Sequence, residues 1–282
     1  MTTYLVLGAR GSQGGAVARR LALTGHEVRG LVRGPGGLPG GVNPAIADLA
    51  DPAQVKAAFD GVTHASVTLP MVFDADATAR YVDNIAGAAQ AAGVRRLVLN
   101  TSNRQPDRPT GVLMFETRRA AAETLLASGV PTVVLRPPLY LDNLRAPWVA
   151  ERLEREGTLS YPLPAGLPVA WLSHDDLAAL TEAALHRPGI EGEALDIGGP
   201  RTVTGPELAA AFSAARGREI TYQALAPADF EAGLTSTFGP HVAAGIAATY
   251  HWIAEHGDDQ IFAGTAADRL GVSLTPLEEA LR

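Results

Sequence analysis

Short apolar runs alternate with helical periodicity through the first half of the chain. Tyr4-Leu5-Val6-Leu7 is a continuous apolar run, the pattern of a strand buried on both faces. A glycine-rich turn follows, and Ala16 to Leu23 reads as a helix that stops at Thr24-Gly25. Further strands are predicted at 27–33, 43–47, 62–69, 96–102 and 130–136. Between them, Asp51-Pro52 opens a helix with Asp51 as N-cap and Pro52 at the first helical position, ending near Asp60-Gly61. Two longer helices span about 74–92 and 112–128, stopped by Gly93 and Gly129. Apolar strands that alternate with helices in this way predict an α/β chain with a doubly wound parallel sheet.

Beyond Arg136 the alternation loosens. Pro137, Pro138, Pro147, Pro162, Pro164 and Pro168 cut the chain into short pieces. Short strands are expected at 159–161 and 169–172. Ser173-His174-Asp175-Asp176 leads into a helix from Leu177 to His186, with Ser173, Asp175 or Asp176 as its cap and His174 as a loop histidine. A strand at 194–197 ends at Gly198-Gly199-Pro200. Thr204 and Glu207 have capping-box spacing, and the final stretch reads as helical. The expected organisation is a nucleotide-binding domain over 1–155 and a smaller mixed lobe over 156–282 that meets the substrate, with the strand near 194–197 a candidate member of the main sheet.

The chemistry concentrates at the first turn. Gly8-Ala9-Arg10-Gly11-Ser12-Gln13-Gly14-Gly15 stands between an N-terminal strand and a helix N-terminus, the context of a dinucleotide-binding turn in a Rossmann fold. The spacing is G-x-x-G-x-x-G. Gly8 lets the chain leave the strand sharply, Gly11 lets backbone approach a pyrophosphate, and Gly14 lets helix and strand pack closely. The second strand ends in Arg33, where an NAD-binding chain carries an acid for the ribose 2′-hydroxyl. A guanidinium there suits a 2′-phosphate, and Arg10 offers a second positive charge, so NADP(H) is the expected cofactor. Asp48 ends the third strand, where it either accepts from the adenine amine or forms a turn. Thr68-Leu69-Pro70, Asn100-Thr101-Ser102 and Pro137-Pro138-Leu139-Tyr140 lie at the carboxyl ends of strands, where ligands of such sheets bind.

Composition narrows this further. The 282 residues include no cysteine, which excludes disulfides and thiolate metal sites. The net charge of −7 without a basic run speaks against a nucleic-acid surface. No apolar stretch is long enough to span a bilayer and no leader pattern opens the chain, so a cytoplasmic protein is expected. His251 and His256 are five apart, a poor fit to one helical face, and no metal site is expected. Lys56 is the only lysine and reads as a solvated helix side chain.

The glycine loop, the strand ending Leu31-Val32-Arg33, Asp48-Leu49, Val133-Val134-Leu135-Arg136-Pro137 and Ala170-Trp171-Leu172-Ser173-His174-Asp175-Asp176-Leu177-Ala178 occur in register. Together they resemble the NmrA-like branch of the atypical short-chain dehydrogenase/reductases, over most of the chain. The resemblance implies a Rossmann domain, a small C-terminal substrate lobe and NADP(H). It implies that Arg10, Gln13 and Arg33 touch phosphates and ribose, that Thr68, Leu69 and Pro70 line the cofactor, and that Tyr140 and Asn143 border the nicotinamide. Gly8, Gly11, Ser12, Gly14, Asp48, Leu49, Asn100, Thr101, Ser102 and Arg119 complete the expected cofactor set. The family holds both reductases of small conjugated or carbonyl compounds and regulators that bind the cofactor without turnover.

Most short-chain reductases carry a Tyr-x-x-x-Lys pair on the helix after the fifth strand. Here Phe115 falls at the tyrosine and Arg119 at the lysine. Phenylalanine donates no proton and arginine stays charged at neutral pH. A lost general acid costs about 10²–10⁴ in rate, which favours acceptors that need little proton help. Ser102, Tyr140 and Tyr161 are the alternative donors. The expected activity is reduction of a small, largely apolar quinone, enone or carbonyl compound. The alternatives are a cofactor-sensing regulator without catalysis and a redox-neutral enzyme that keeps the nucleotide as structure. No nucleic-acid or membrane partner is expected, and monomer and homodimer both remain open.

Overall fold

The computed structural model describes residues 2–257, 262–264 and 266–282. The part of the expected final helical stretch at 258–261 and 265 lies outside the described residues. A seven-stranded parallel sheet forms the centre, in the order β3 (Asn43–Ile46), β2 (Glu27–Val32), β1 (Thr3–Leu7), β4 (His64–Thr68), β5 (Arg96–Asn100), β6 (Thr132–Arg136), β8 (Ala194–Asp196). Every pairing in it is parallel, with Leu5 opposite Arg29 and Ala65, and Arg136 opposite Asp196. The strand order reverses between β1 and β4, which opens a crevice at their carboxyl ends.

Helices cover both faces. On one side α1 (Ser12–Ala22) and α6 (His174–His186) pack with the apolar side chains of β1, β5 and β6, such as Val6, Val98 and Leu135. On the other, α2 (Pro52–Ala58), α3 (Ala75–Ala91) and α4 (Leu113–Ala127) enclose Leu5, Val67, Leu99 and Val134. The strands are therefore buried on both faces, as continuous apolar runs require. Capping follows the sequence: Asp51 accepts from the N–H groups of Ala53 and Gln54, and Thr204 with Glu207 forms a complete capping box.

The second half builds a third core. After a 3₁₀ turn at Leu141–Arg145 come α5 (Pro147–Glu156) and β7 (Thr158–Tyr161); β7 pairs in parallel with β9 (Thr221–Ala224) in a separate two-stranded sheet. Around it lie α7 (Gly205–Arg216), α8 (Pro227–Phe238), α9 (Pro240–His256) and α11 (Leu277–Ala280), while α10 (Ala267–Leu270) packs back on α6 beside the main sheet. Tyr161, Trp171, Phe230 and Tyr250 make the aromatic centre of this core.

Three local expectations change. Residues 169–172 form no strand. Val169 bridges Val203, Leu172 bridges Tyr140, and Ala170 N–H donates to Phe262, so successive residues meet different partners and no ladder develops. The sixth helix begins at His174 rather than Leu177, because Ser173 Oγ accepts from Asp176 N–H at 3.0 Å and starts the helix three residues earlier. His174 is thus a buried helical residue, its Nδ1 3.4 Å from Asp142. Helices α5 and α8 and strand β9 have no counterpart in the expectations; Pro147 and Pro227, each at the first helical position, open the two helices, and β9 is only four residues long.

Candidate nucleotide and substrate cleft

A cleft of about 730 Å³ lies along the carboxyl ends of β1, β2, β3 and β4. Its floor is the β1–α1 turn. Gly8 has φ +76°, a left-handed turn that only glycine adopts without strain, and Gly11 N–H returns to the Gly8 carbonyl at 2.8 Å. At Gly14 a Cβ would stand 2.4 Å from the Gly8 carbonyl oxygen, so α1 sits closer to the strand exit than any side chain permits. No side chain caps α1, and its first turn holds no acid. Its leading N–H groups and the positive end of its dipole thus face the cleft without an internal competitor. Such a cradle fits a pyrophosphate.

Arg33 marks the far end. It is exposed, lines the cleft and makes no ion pair among the described residues, so its planar fork is available to a phosphate. Arg10 also lines the cleft, but its guanidinium already donates to the carbonyls of Gly34, Pro35 (2.8 Å) and Gly36 (2.8 Å). It ties the glycine turn to the loop after β2, which carries Arg33. Asp48 and Leu49 line the same end. One oxygen of Asp48 accepts from Ala50 N–H at 2.9 Å, the turn role, and the Leu49 carbonyl accepts from Asn84 at 2.8 Å.

At the other end Thr68, Leu69 and Pro70 form one wall, and Ser102 the exit of β5. Ser102 has φ +64°, the only positive value at a non-glycine among the described residues. Its N–H donates to Asn100 Oδ1 at 2.9 Å and its Oγ to Gln13 Oε1 at 3.0 Å. Asn100 Nδ2 donates to the same Gln13 oxygen at 2.8 Å, and the Tyr140 hydroxyl donates to Asn100 Oδ1 at 3.2 Å. Strain of this kind persists where surrounding bonds over-determine the backbone. The network fixes the end of β5 against the first turn of α1.

The expected residues divide accordingly. Gly8, Arg10, Gly11, Ser12, Gln13, Gly14, Arg33, Asp48, Leu49, Thr68, Leu69, Pro70 and Ser102 all line the cleft. Asn100 and Tyr140 stand behind it and hold Gln13 and Ser102. Thr101 is fully buried and turns its hydroxyl to Asn103 and Leu135 carbonyls. Asn143 points instead to the Tyr161 hydroxyl at 3.3 Å. Arg119 is directed at the preceding loop, donating to the carbonyls of Pro106 and Arg108 and pairing with Glu116. Phe115 is buried edge-on against Trp252, their ring centres 5.7 Å apart.

The three candidate donors also separate. Tyr161 and Tyr250 share a hydroxyl–hydroxyl bond of 2.7 Å in the third core, and burial raises the Tyr161 pKa above its ordinary value. Burial likewise raises Tyr140 far above that value. Of the three only Ser102 reaches the cleft wall. Sequence reading passed over Met71, Val72, Tyr81, Met114 and Arg118, which also line this end. Met71, Val72 and Arg118 each stand close to a residue already singled out, and only the fold turns them inward.

A model of the NmrA-like family matches residues 2–280. The NAD(P)H azoreductase of Xenophilus azovorans is 32% identical over 228 residues, which cover 78% of this chain and 76% of that protein. The (4-alkanoyl-5-oxo-2,5-dihydrofuran-3-yl)methyl phosphate reductase of Streptomyces griseus is 31% identical over 242 residues, 85% of this chain and 83% of that one. The crystal structure of an NADPH-dependent quinone oxidoreductase from Escherichia coli superposes with a TM-score of 0.76 at 24% identity, covering 99% of this chain and 98% of that one. No helix among the described residues is long and apolar enough to cross a membrane.

Proposed function

The chain belongs to the NmrA-like family, and on that premise we propose that it is an NADP(H)-dependent reductase of small conjugated acceptors such as azo compounds, quinones and enones. The observation that carries this reading is the glycine cradle under the uncapped start of α1, joined to an Arg33 at the tip of β2 that makes no ion pair among the described residues. The two relatives named as an azoreductase and as a methyl phosphate reductase support it.

When bound, NADPH supplies a hydride equivalent. The chain's own part is to hold and screen. The first turn of α1 and Arg33 hold the charged nucleotide. Leu69, Met71, Val72 and Met114 give the other end an apolar wall that suits a flat conjugated ring. Gln13 fixes the Ser102 hydroxyl at that end. On α4, Phe115 is packed on Trp252 and Arg119 is turned to the loop, which supports a reaction without a tyrosine–lysine pair on that helix. Acceptors whose reduced form takes its proton from solvent therefore suit it best.

The test is oxidation of NADPH by purified protein with a panel of azo dyes, quinones and enones. Turnover with NADPH above that with NADH is expected. A protein that binds NADPH and turns over none of the panel overturns the proposal.

A further inference from the structure

One buried cation in the cleft has no counter-charge among the described residues. Arg118, on α4, is 2% exposed and lines the end of the cleft bounded by Pro70, Met114 and Ser102. Its Nη2 donates to the Pro70 carbonyl at 2.9 Å. Its Nε and Nη1 are buried and meet no hydrogen-bond partner among the described residues. Glu116, the nearest acid in sequence, is engaged by Thr110 and Arg119. Burial lowers the Arg118 pKa to about 10, so the guanidinium is charged at neutral pH.

A buried charge is ordinarily paired, because desolvation without a partner is costly. A guanidinium with two unused donors, set in the wall of a ligand cleft, is built to receive an anion from that cleft. The nucleotide phosphates have their own cradle at α1 and Arg33. Arg118 is at the other end, beside the apolar wall. Resting on the reductase reading above, the geometry assigns Arg118 as the receptor for an anionic oxygen carried by the substrate. The preferred acceptors are thus conjugated molecules that bear a sulfonate, carboxylate or phosphate ester. The guanidinium fork matches two oxygens of such a group, and the burial of Arg118 itself limits screening of the pair by water.

The experiment is calorimetric titration of the protein saturated with NADP⁺, using naphthoquinone sulfonate and its uncharged counterpart menadione. The wild type is expected to bind the sulfonate roughly tenfold to hundredfold more tightly, the range of a charge-assisted hydrogen-bonded pair. Arg118→Gln should abolish this preference and leave menadione and NADP⁺ affinity unchanged; Arg118→Lys should restore part of it. Equal binding of the two probes by the wild type, which needs no variant, overturns the proposal. Equal loss of both probes in Arg118→Gln also overturns it and leaves Arg118 as a prop for the Pro70 carbonyl. A fall in NADP⁺ affinity in Arg118→Gln overturns it too, since the anion is then the nucleotide's. Wild-type protein with no affinity for NADP⁺ defeats the reductase reading instead, and the probe pair titrated without nucleotide still decides the receptor.

Discussion

Gly14 and the carbonyl oxygen of Gly8 approach so closely that a Cβ on Gly14 would lie 2.4 Å from that oxygen. Backbone, not a flexible side chain, is in the way, so α1 itself must move. Gly14→Ala is expected to destabilise the protein by about 1–3 kcal/mol, the usual range for overpacking. It should also carry the α1 N–H groups away from the phosphates and weaken NADPH binding. Thermal unfolding and a fluorescence titration with NADPH check both effects.

Arg33, exposed at the β2 tip, makes no ion pair among the described residues. Arg33→Asp replaces a phosphate partner with a like charge. NADPH affinity should fall by about 2–4 kcal/mol, as for a lost charge pair met by repulsion. NADH, which lacks the 2′-phosphate, should change by less than about 1 kcal/mol. Equal weakening of both nucleotides would remove Arg33 from phosphate recognition.

The second half of the chain bears on the cleft through Phe73, in the loop after β4. A Cβ on Gly245 of α9 would meet the Phe73 ring at 2.4 Å. Gly245→Leu should push that ring and the Pro70–Val72 wall out of place. The expected outcome is a raised KM for apolar acceptors with NADPH affinity kept, read from steady-state kinetics. A KM that stays at the wild-type value shows that the ring yields without moving the wall.

At the opposite, amino end of the sheet, His64 lies against Tyr4 and His186, and its Nδ1 is 2.9 Å from Thr63 Oγ1. Burial first, then the charges of His186, Arg95, Arg96 and His26, lower its pKa from 6.5 to about 4. The folded protein therefore refuses a proton that the unfolded chain accepts below pH 6.5. Stability is fully present above that pH and falls as pH drops toward about 4. His186, also lowered chiefly by burial, acts in the same direction. A pH series of melting temperatures should show this slope, and His64→Gln should flatten it.

Tyr161 shares its hydroxyl with Tyr250 away from the cleft. Tyr161→Phe should cost about 1 kcal/mol of stability, one net hydrogen bond, and leave kcat at the wild-type value. A large drop in kcat would return Tyr161 to the list of proton donors.

What the sequence determined by itself was whatever depends on neighbours in the chain. Apolar runs such as Tyr4–Leu7 fixed buried parallel strands, because a strand covered on both faces has no polar alternation to show. The caps at Asp51 and Thr204 were legible because a cap satisfies N–H groups two or three residues away. The glycine turn and Arg33 were legible for the same reason: strand, turn and helix are contiguous. Tertiary structure decided what depends on distant partners. It sent Arg119 to the Pro106–Arg108 loop and turned the adjacent Arg118 into the cleft, since successive helical side chains diverge by about 100° and only packing settles which faces inward. It likewise withdrew Tyr161 into a core built with Phe230 and Tyr250, some seventy residues and more along the chain, a distance over which no local pattern carries information.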